Sequence, residues 1–282
     1  MLPPPLLTLP IHEQLQAAKR VGAVSCDCSL DLGISVVTVG LESDGWFYNN
    51  RKFPFLDRCK ERTIYYWAGS SFEVVSRFTE ALIKLVPTEW GPPTFEIDGI
   101  KMLPTAKVSP LADAERKVAL VKPRAKSILD TCGGLGYFAR AAIQQGAGVI
   151  YSFEKNPDVL WIRSLNAWSP DSAWASTPPS ALQVTLGDVT EHIQSLANAS
   201  VDVVLHDPPR FGIAGELYSQ AFYQQLARVL VYRGQLFHYT GTPNQLTSGR
   251  DVPAEVAKRL KHAGFATQFN GDGILATKIS RF

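Results

Sequence analysis

From about Ala112 to the carboxyl terminus, short apolar runs alternate with amphipathic stretches, and that alternation restricts the chain to few architectures. SILD, GVIYSF, VTLG and VDVVLH are too short and too continuously apolar for a sheet with a wet face, so they read as strands buried on both sides. ADAERKVALV, YFARAAIQQG and DVLWIRSLNAW between them read as helices. Strands separated by helices of about ten residues or more predict a parallel sheet with helices on both faces, a doubly wound α/β domain. GQLFHYTG, FATQFNG and GILATKIS, with a helix from about Val252 to His262, lie closer together and predict an antiparallel carboxyl-terminal edge. AWSPDSAWASTPPSA reads as a surface insertion.

Residues 1–112 have a different character. ISVVTVGLESDGWFYNN, RTIYYWAG and TFEIDGIKML alternate with period two between turn residues, which predicts small antiparallel hairpins. SSFEVVSRFTEALIKL is predicted as a helix stopping before Pro87. The expected organisation is a small α+β lobe over 1–112 that covers the ligand of a larger domain over 113–282. With 45% hydrophobic and 19% charged residues the chain is a folded one. Its 28 basic against 26 acidic residues give +2, short of what a dedicated nucleic-acid binder carries, and the basic segment Arg51 to Arg62 is expected to be a solvated loop. Four cysteines, two of them in Cys26-Asp27-Cys28, do not resemble a disulfide framework. No histidine cluster joins Cys26, Cys28 and Cys59, so no metal is expected. No run approaches the roughly 18 apolar residues of a membrane span, so no membrane partner is expected and the cytoplasm is the default. The sequence leaves a homo-oligomer open.

The chemistry concentrates at strand ends. Asp130 closes SILD, and TCGGLGYFARAA then brings Gly133, Gly134 and Gly136 to a strand-to-helix turn, where missing side chains let a ligand meet the backbone. Alone this is a weak signal. Glu154 with Lys155, Asp188 with Val189, and Asp207 follow the next three strands, and ligands of open α/β sheets bind at the carboxyl ends of strands. An acid after the second strand suits ribose hydroxyls and one after the third an adenine amino group, so the ligand implied is an adenosine. The turn lacks the GxGxxG spacing and no GxxxxGK[ST] occurs, which argues against NAD and against a P-loop nucleotide.

LDTCGGLGYFA, the three strand-end acids and HDPPRF resemble the class I S-adenosylmethionine-dependent methyltransferases over roughly Ile128 to Ile279. The resemblance implies S-adenosylmethionine as substrate or methyl donor, with HDPPRF as the catalytic loop. The fold does not choose which carbon of the sulfonium is attacked. Arg210 stands where nucleic-acid base methylation has an aromatic residue, and no cysteine lies near the catalytic strand to serve carbon-5 methylation of a pyrimidine. Cys132 reads as a small packed residue.

DPPRFGIAGELYSQAFY and FEIDGIKM resemble two segments of the spermidine-synthase family, whose aspartate assists an amine attacking the γ-carbon of decarboxylated adenosylmethionine. Leu135 and Met102 stand where that family has its amine-holding aspartate and a glutamine, and TAKVSPLADAE lacks its acidic pair and tyrosine. No external polyamine is therefore expected. The chain as a whole is similar to bacterial azetidine-2-carboxylate synthases of nonribosomal-peptide pathways. That resemblance implies cyclisation of S-adenosylmethionine to azetidine-2-carboxylate with release of methylthioadenosine, upstream of a peptide synthetase. Methyl transfer to a small molecule is the main rival, RNA methylation the third reading, and a catalytically silent binding module the fourth. The expected catalytic set is Asp207, Tyr137, Tyr218 and Arg210, with Tyr137, Tyr218 and Tyr239 as aromatic faces for the sulfonium. His206 and His238 end apolar strands and read as structural.

Overall fold

The computed structural model describes residues 4–170, 181–241 and 251–281. The chain forms two compact units: one runs to Pro110 and takes in Trp161–Ser169, and the other comprises Leu111–Leu160 and the chain from Pro170 onward. Most of the expected insertion, residues 171–180, lies outside the described residues.

Up to Pro110, the described residues of the first unit form one helix, α1 (Leu9–Arg20), and three antiparallel sheets. β1 (Leu6–Leu7), β6 (Tyr65–Trp67) and β7 (Phe72–Val74) form the first, in the order β1-β6-β7. β2 (Ser25–Cys28), β3 (Val37–Leu41), β4 (Gly45–Tyr48) and β5 (Arg51–Pro54) form a meander. β8 (Ser76–Phe78), β9 (Leu82–Val86), β10 (Thr94–Ile97) and β11 (Ile100–Lys101) form the third. Two of the predicted hairpins close through two-residue turns with positive φ at both positions, Asn49-Asn50 (49° and 58°) and Asp98-Gly99 (48° and 77°), the combination that matches strand twist. Trp46, fully buried, stacks on Phe53 with ring centroids 4.6 Å apart over Leu7, Leu15 and Val39.

Residues 70–85, predicted as a helix, are instead β7, β8 and most of β9. In LIKLV, Ile83 and Leu85 are fully buried with Leu82 exposed and Lys84 half-buried, a period of two that the helical spacing of the longer segment hides. β9 pairs with β10 from Val86↔Thr94 to Ile83↔Ile97, so strand pairing beyond the segment itself decides the conformation.

The second unit is built on β12 (Ser127–Asp130), β13 (Val149–Glu154), β14 (Ala181–Leu186), β15 (Val201–His206), β16 (Leu230–Tyr239), β17 (Phe265–Asn270) and β18 (Gly273–Lys278). The order is β14-β13-β12-β15-β16-β18-β17, parallel through β16, with β18 antiparallel to both neighbours. Ile128, Leu129, Ile150, Val203, Val204, Leu205, Leu236 and Phe237 have no exposed surface, which accounts for the unbroken apolar runs. The α-helices of this half among the described residues are α2 (Pro110–Leu120), α3 (Tyr137–Gln144), α4 (Pro157–Leu165), whose residues from Trp161 fall in the first unit, a single turn α5 (Val189–His192), α6 (Gln220–Val229) and α7 (Val252–His262). Ser219 caps α6 by accepting the Phe222 N–H, and Phe222, Tyr223 and Leu226 turn inward. No helix among the described residues is long and apolar enough to cross a membrane.

Candidate active site at the carboxyl edge of the sheet

Because β14, β13, β12 and β15 are adjacent and parallel, the turn after β12 and the acids after the other three share one edge. The glycine turn is held from below: Gly133 N–H donates to the Phe153 carbonyl at 2.7 Å, and Gly136 N–H to that of Gly133 at 2.7 Å. Gly134 (φ 48°) and Gly136 (φ 81°) occupy left-handed backbone, and Gly136 is the residue from which α3 starts. Gly136→Ala is therefore expected to cost about 1–2 kcal/mol. That appears as a lower urea midpoint at unchanged slope.

Glu154 uses both carboxylate oxygens on this turn and on its own loop: Oε2 accepts the Gly134 N–H and Oε1 the Asn156 N–H, each at 2.9 Å. Asp188 caps α5, accepting the Thr190 N–H at 2.9 Å and hydroxyl at 2.7 Å, and pairs with Lys155 at 2.9 Å. Partial burial works against its charge, but Thr190 and Lys155 outweigh it and hold the carboxyl below the usual range. Val189 is buried directly after it. Asp130, only 1% exposed, accepts the Ser152 hydroxyl at 2.8 Å within the sheet.

Asp207 stands at the end of β15 in a cluster drawn from four elements. Asp113 and Lys117 lie one turn apart on α2 and bond at 2.6 Å, while Lys117 Nζ lies 3.9 Å from Asp207 and 3.8 Å from Asp272 in the turn between β17 and β18. The same ammonium sits 4.0 Å from the ring centre of Tyr239, and Arg116 bridges Asp113 (2.9 Å) and Asp272 (2.8 Å). Lys117 is 1% exposed. Burial lowers its affinity for a proton, but Asp207, Asp113 and Asp272 more than compensate and hold it above the ordinary value. Desolvation drives Asp207 the other way, to about 6; the lysine offsets part of that and the two neighbouring acids add to it. At 3.9 Å the ammonium does not reverse the cost of burying the carboxylate.

The predicted aromatic and basic groups fall in different surroundings. Tyr218 is buried, its hydroxyl donating to the Pro209 carbonyl at 2.9 Å, so it braces the 207–211 loop. Tyr137 is buried at the first position of α3, and one face of Tyr239 carries Lys117. Arg210 is exposed and in no ion pair among the described residues. Cys132 packs against the core, where burial raises its thiol well above the usual value.

The two histidines lie under the site with centroids 4.4 Å apart. His206 Nε2 meets the Leu217 carbonyl at 3.1 Å, an acceptor, so in the neutral ring it carries the proton and Nδ1 accepts from the Thr131 hydroxyl at 2.7 Å. Thr131 thereby ties the glycine turn to the end of β15, a link no sequence pattern had suggested. His238 Nδ1 donates to the Tyr239 carbonyl at 2.8 Å and Nε2 accepts from Tyr223 at 2.9 Å. Burial holds both neutral, His206 well below its ordinary value and His238 at about 4. The unfolded chain binds protons on these rings below about pH 6.5 and the folded chain does not, so their stability contribution is present above pH 6.5 and is lost as pH falls. Between pH 6.5 and 5, His238 alone is expected to remove about 2 kcal/mol. Urea titrations across that range test this, with a shallower dependence expected for His238→Phe.

An open concavity of about 890 Å³ on the first unit, lined by His12, Glu13, Lys19, Arg20, Phe55 and Asp57, mixes both charges and includes no buried polar group among those side chains. It offers no comparable chemistry.

No family model matches the chain. A segment of 183 residues is 43% identical to the uncharacterised protein MJ1233 of Methanocaldococcus jannaschii, and makes up 64% of this chain and 61% of that protein, so the match spans less than two thirds of the relative's length. A crystal structure of a spermidine synthase in complex with the transition-state analogue AdoDATO superposes with a TM-score of 0.56 at 16% identity over 72% of each chain. The MNMC2 structure from Aquifex aeolicus does so with a TM-score of 0.51 at 19% identity, over 73% of this chain and 72% of that one. At such identities the likeness is one of fold. The chain has the α/β, Rossmann-like fold of the class I methyltransferases, a mixed seven-stranded sheet with an antiparallel carboxyl-terminal edge, together with a β-rich amino-terminal unit.

Proposed function

We propose that the carboxyl edge of the second unit holds S-adenosylmethionine and that the protein is an S-adenosylmethionine-dependent enzyme whose reaction takes place in front of Asp207. The observation that carries this is the alignment, on four adjacent parallel strands, of the glycine turn, Glu154, Asp188 and Asp207. Glu154 would accept ribose hydroxyls, Asp188 and Val189 would meet the adenine, and the turn's backbone would approach the methionine part.

Within that class, the finer proposal is attack on the γ-carbon by the ligand's own α-amine, closing the ring of azetidine-2-carboxylate. Asp207 takes a proton from the α-ammonium; the freed lone pair forms the N–Cγ bond as the Cγ–S bond breaks, and that bond's electron pair leaves with sulfur as methylthioadenosine. A carboxyl at about 6 is largely ionised at neutral pH yet basic enough to receive a proton. Tethering of the nucleophile supplies much of the rate. Exposed Arg210 is placed on the loop that could pair with the ligand carboxylate. Tyr218 acts indirectly, through Pro209.

Incubation of the protein with S-adenosylmethionine alone, with products identified by mass spectrometry, tests both levels. Methylthioadenosine together with azetidine-2-carboxylate above the uncatalysed background supports cyclisation. Tight binding with unchanged ligand overturns it and returns the weight to methyl transfer onto a small molecule. Absence of binding by calorimetry overturns the class itself.

A further inference from the structure

Lys117 is anomalous in sequence and in place. Leu111, Ala114 and Val118 form the buried stripe of α2, and Lys117 lies in phase with it at a position that would ordinarily be apolar. A lysine is almost never this buried unless its charge is met. Here it is met on every recorded side: by Asp113 at 2.6 Å, Asp272 at 3.8 Å, Asp207 at 3.9 Å and the face of Tyr239 at 4.0 Å. Three carboxylates over an aromatic floor form a receptor for an alkylammonium group, the chemistry by which proteins recognise amines. With Arg116, the cluster holds two cations against three acids when all are ionised.

We propose that Lys117 is a positioning and specificity residue, whose ammonium fills the acidic, aromatic-floored cage beside Asp207 and thereby closes it to an external alkylamine as a second substrate. The proposal rests on Asp207 being the reactive carboxylate of the function proposed above, and extends it: the position an external amine would take beside that carboxylate is filled by the protein's own side chain. Asp113 and Asp272, each in contact with both Lys117 and Arg116, hold the ammonium in line, and Lys117 in turn fixes which way Asp207 faces.

The test is opening the cage. Lys117→Ala removes the ammonium and the three stem carbons beyond Cβ, and n-propylammonium, which matches what is removed, is the probe, with n-propanol as the neutral control. By calorimetry the variant is expected to bind n-propylammonium at least roughly tenfold more tightly than the unaltered protein, with no gain for n-propanol. If S-adenosylmethionine is turned over, n-propylammonium should also restore part of the variant's lost turnover and return its pH profile toward that of the unaltered protein. A structural role alone would produce neither ammonium selectivity nor rescue. Should Lys117→Ala fail to fold, Asp113→Asn/Lys117→Ala keeps the charge balance of the cluster and carries the same binding test. A folded variant that binds n-propylammonium no better than the unaltered protein overturns the proposal, as does an unaltered protein that already binds the amine equally well. Amine binding is measured without S-adenosylmethionine, so failure of the wider functional assignment shows separately, as absence of S-adenosylmethionine binding in the unaltered protein.

Discussion

Asp207→Asn is expected to lower turnover of S-adenosylmethionine by about 10²–10⁴-fold, the usual worth of a positioned general base. Binding should stay within a few fold. The same substitution should make the protein more stable at neutral and alkaline pH. Desolvation raises the carboxyl to about 6, against partial compensation by Lys117 and with Asp113 and Asp272 adding to the rise. Its ordinary value is 3.8, so between pH 3.8 and 6 the folded chain holds a proton that the unfolded chain has released, and folding stability falls as pH rises through that window. Above it the ionised side chain costs about 2–3 kcal/mol, which asparagine avoids. Urea titrations at pH 8 and pH 4 should show a stabilised variant at the first and near equality at the second, while the acid limb of the turnover profile of the unaltered protein should rise through about pH 6. Loss of turnover without the gain in stability would make Asp207 an ordinary solvated carboxylate and remove the reason for assigning it as the base.

The α/β half of the fold was legible because its determinants are local and repeated. Buried strands such as VDVVLH can be read without knowing their partners, and a glycine turn followed by strand-end acids fixes which edge matters. The ordering of Glu154, Asp188 and Asp207 along one edge follows from parallel pairing alone. Residues 70–85 failed for the complementary reason: Ile83 and Leu85 suit either a helix or a strand, and pairing with β10, outside the segment, decides. α1 was missed although Pro10 suits a first helical turn, because Leu15 is the only buried residue on it and no apolar stripe marks the helix in sequence. Asp113, Lys117 and Asp272 were missed because their meaning lies in convergence. A clue was present in ADAERKVAL, where a lysine sits in phase with the apolar stripe four residues after an acid, a pairing that only burial turns into an ion cage.

Glu154→Ala is expected to weaken S-adenosylmethionine binding by about 100-fold, for a reason that reaches beyond ribose recognition. Its two oxygens accept the Gly134 and Asn156 N–H groups, and hydrogen bonds to a charged acceptor contribute about 1.5–3 kcal/mol each, so removing both loosens the turn before any ligand contact is counted. The glycine turn can serve a ligand only if its backbone is already ordered. Glu154→Gln separates the two roles. A glutamine preserves shape and offers one carbonyl oxygen, but its amide nitrogen must then face either the Gly134 or the Asn156 N–H, donor against donor, whichever way it flips. Affinity should therefore fall by roughly tenfold or more, and hydrogen exchange at Gly134 or Asn156 should accelerate in the variant even without ligand. A residue that acted on the ribose alone would leave those amides as protected as in the unaltered protein. Unchanged protection together with weakened binding would accordingly restrict Glu154 to the ligand and leave the Phe153 carbonyl, through Gly133, as the support of the turn.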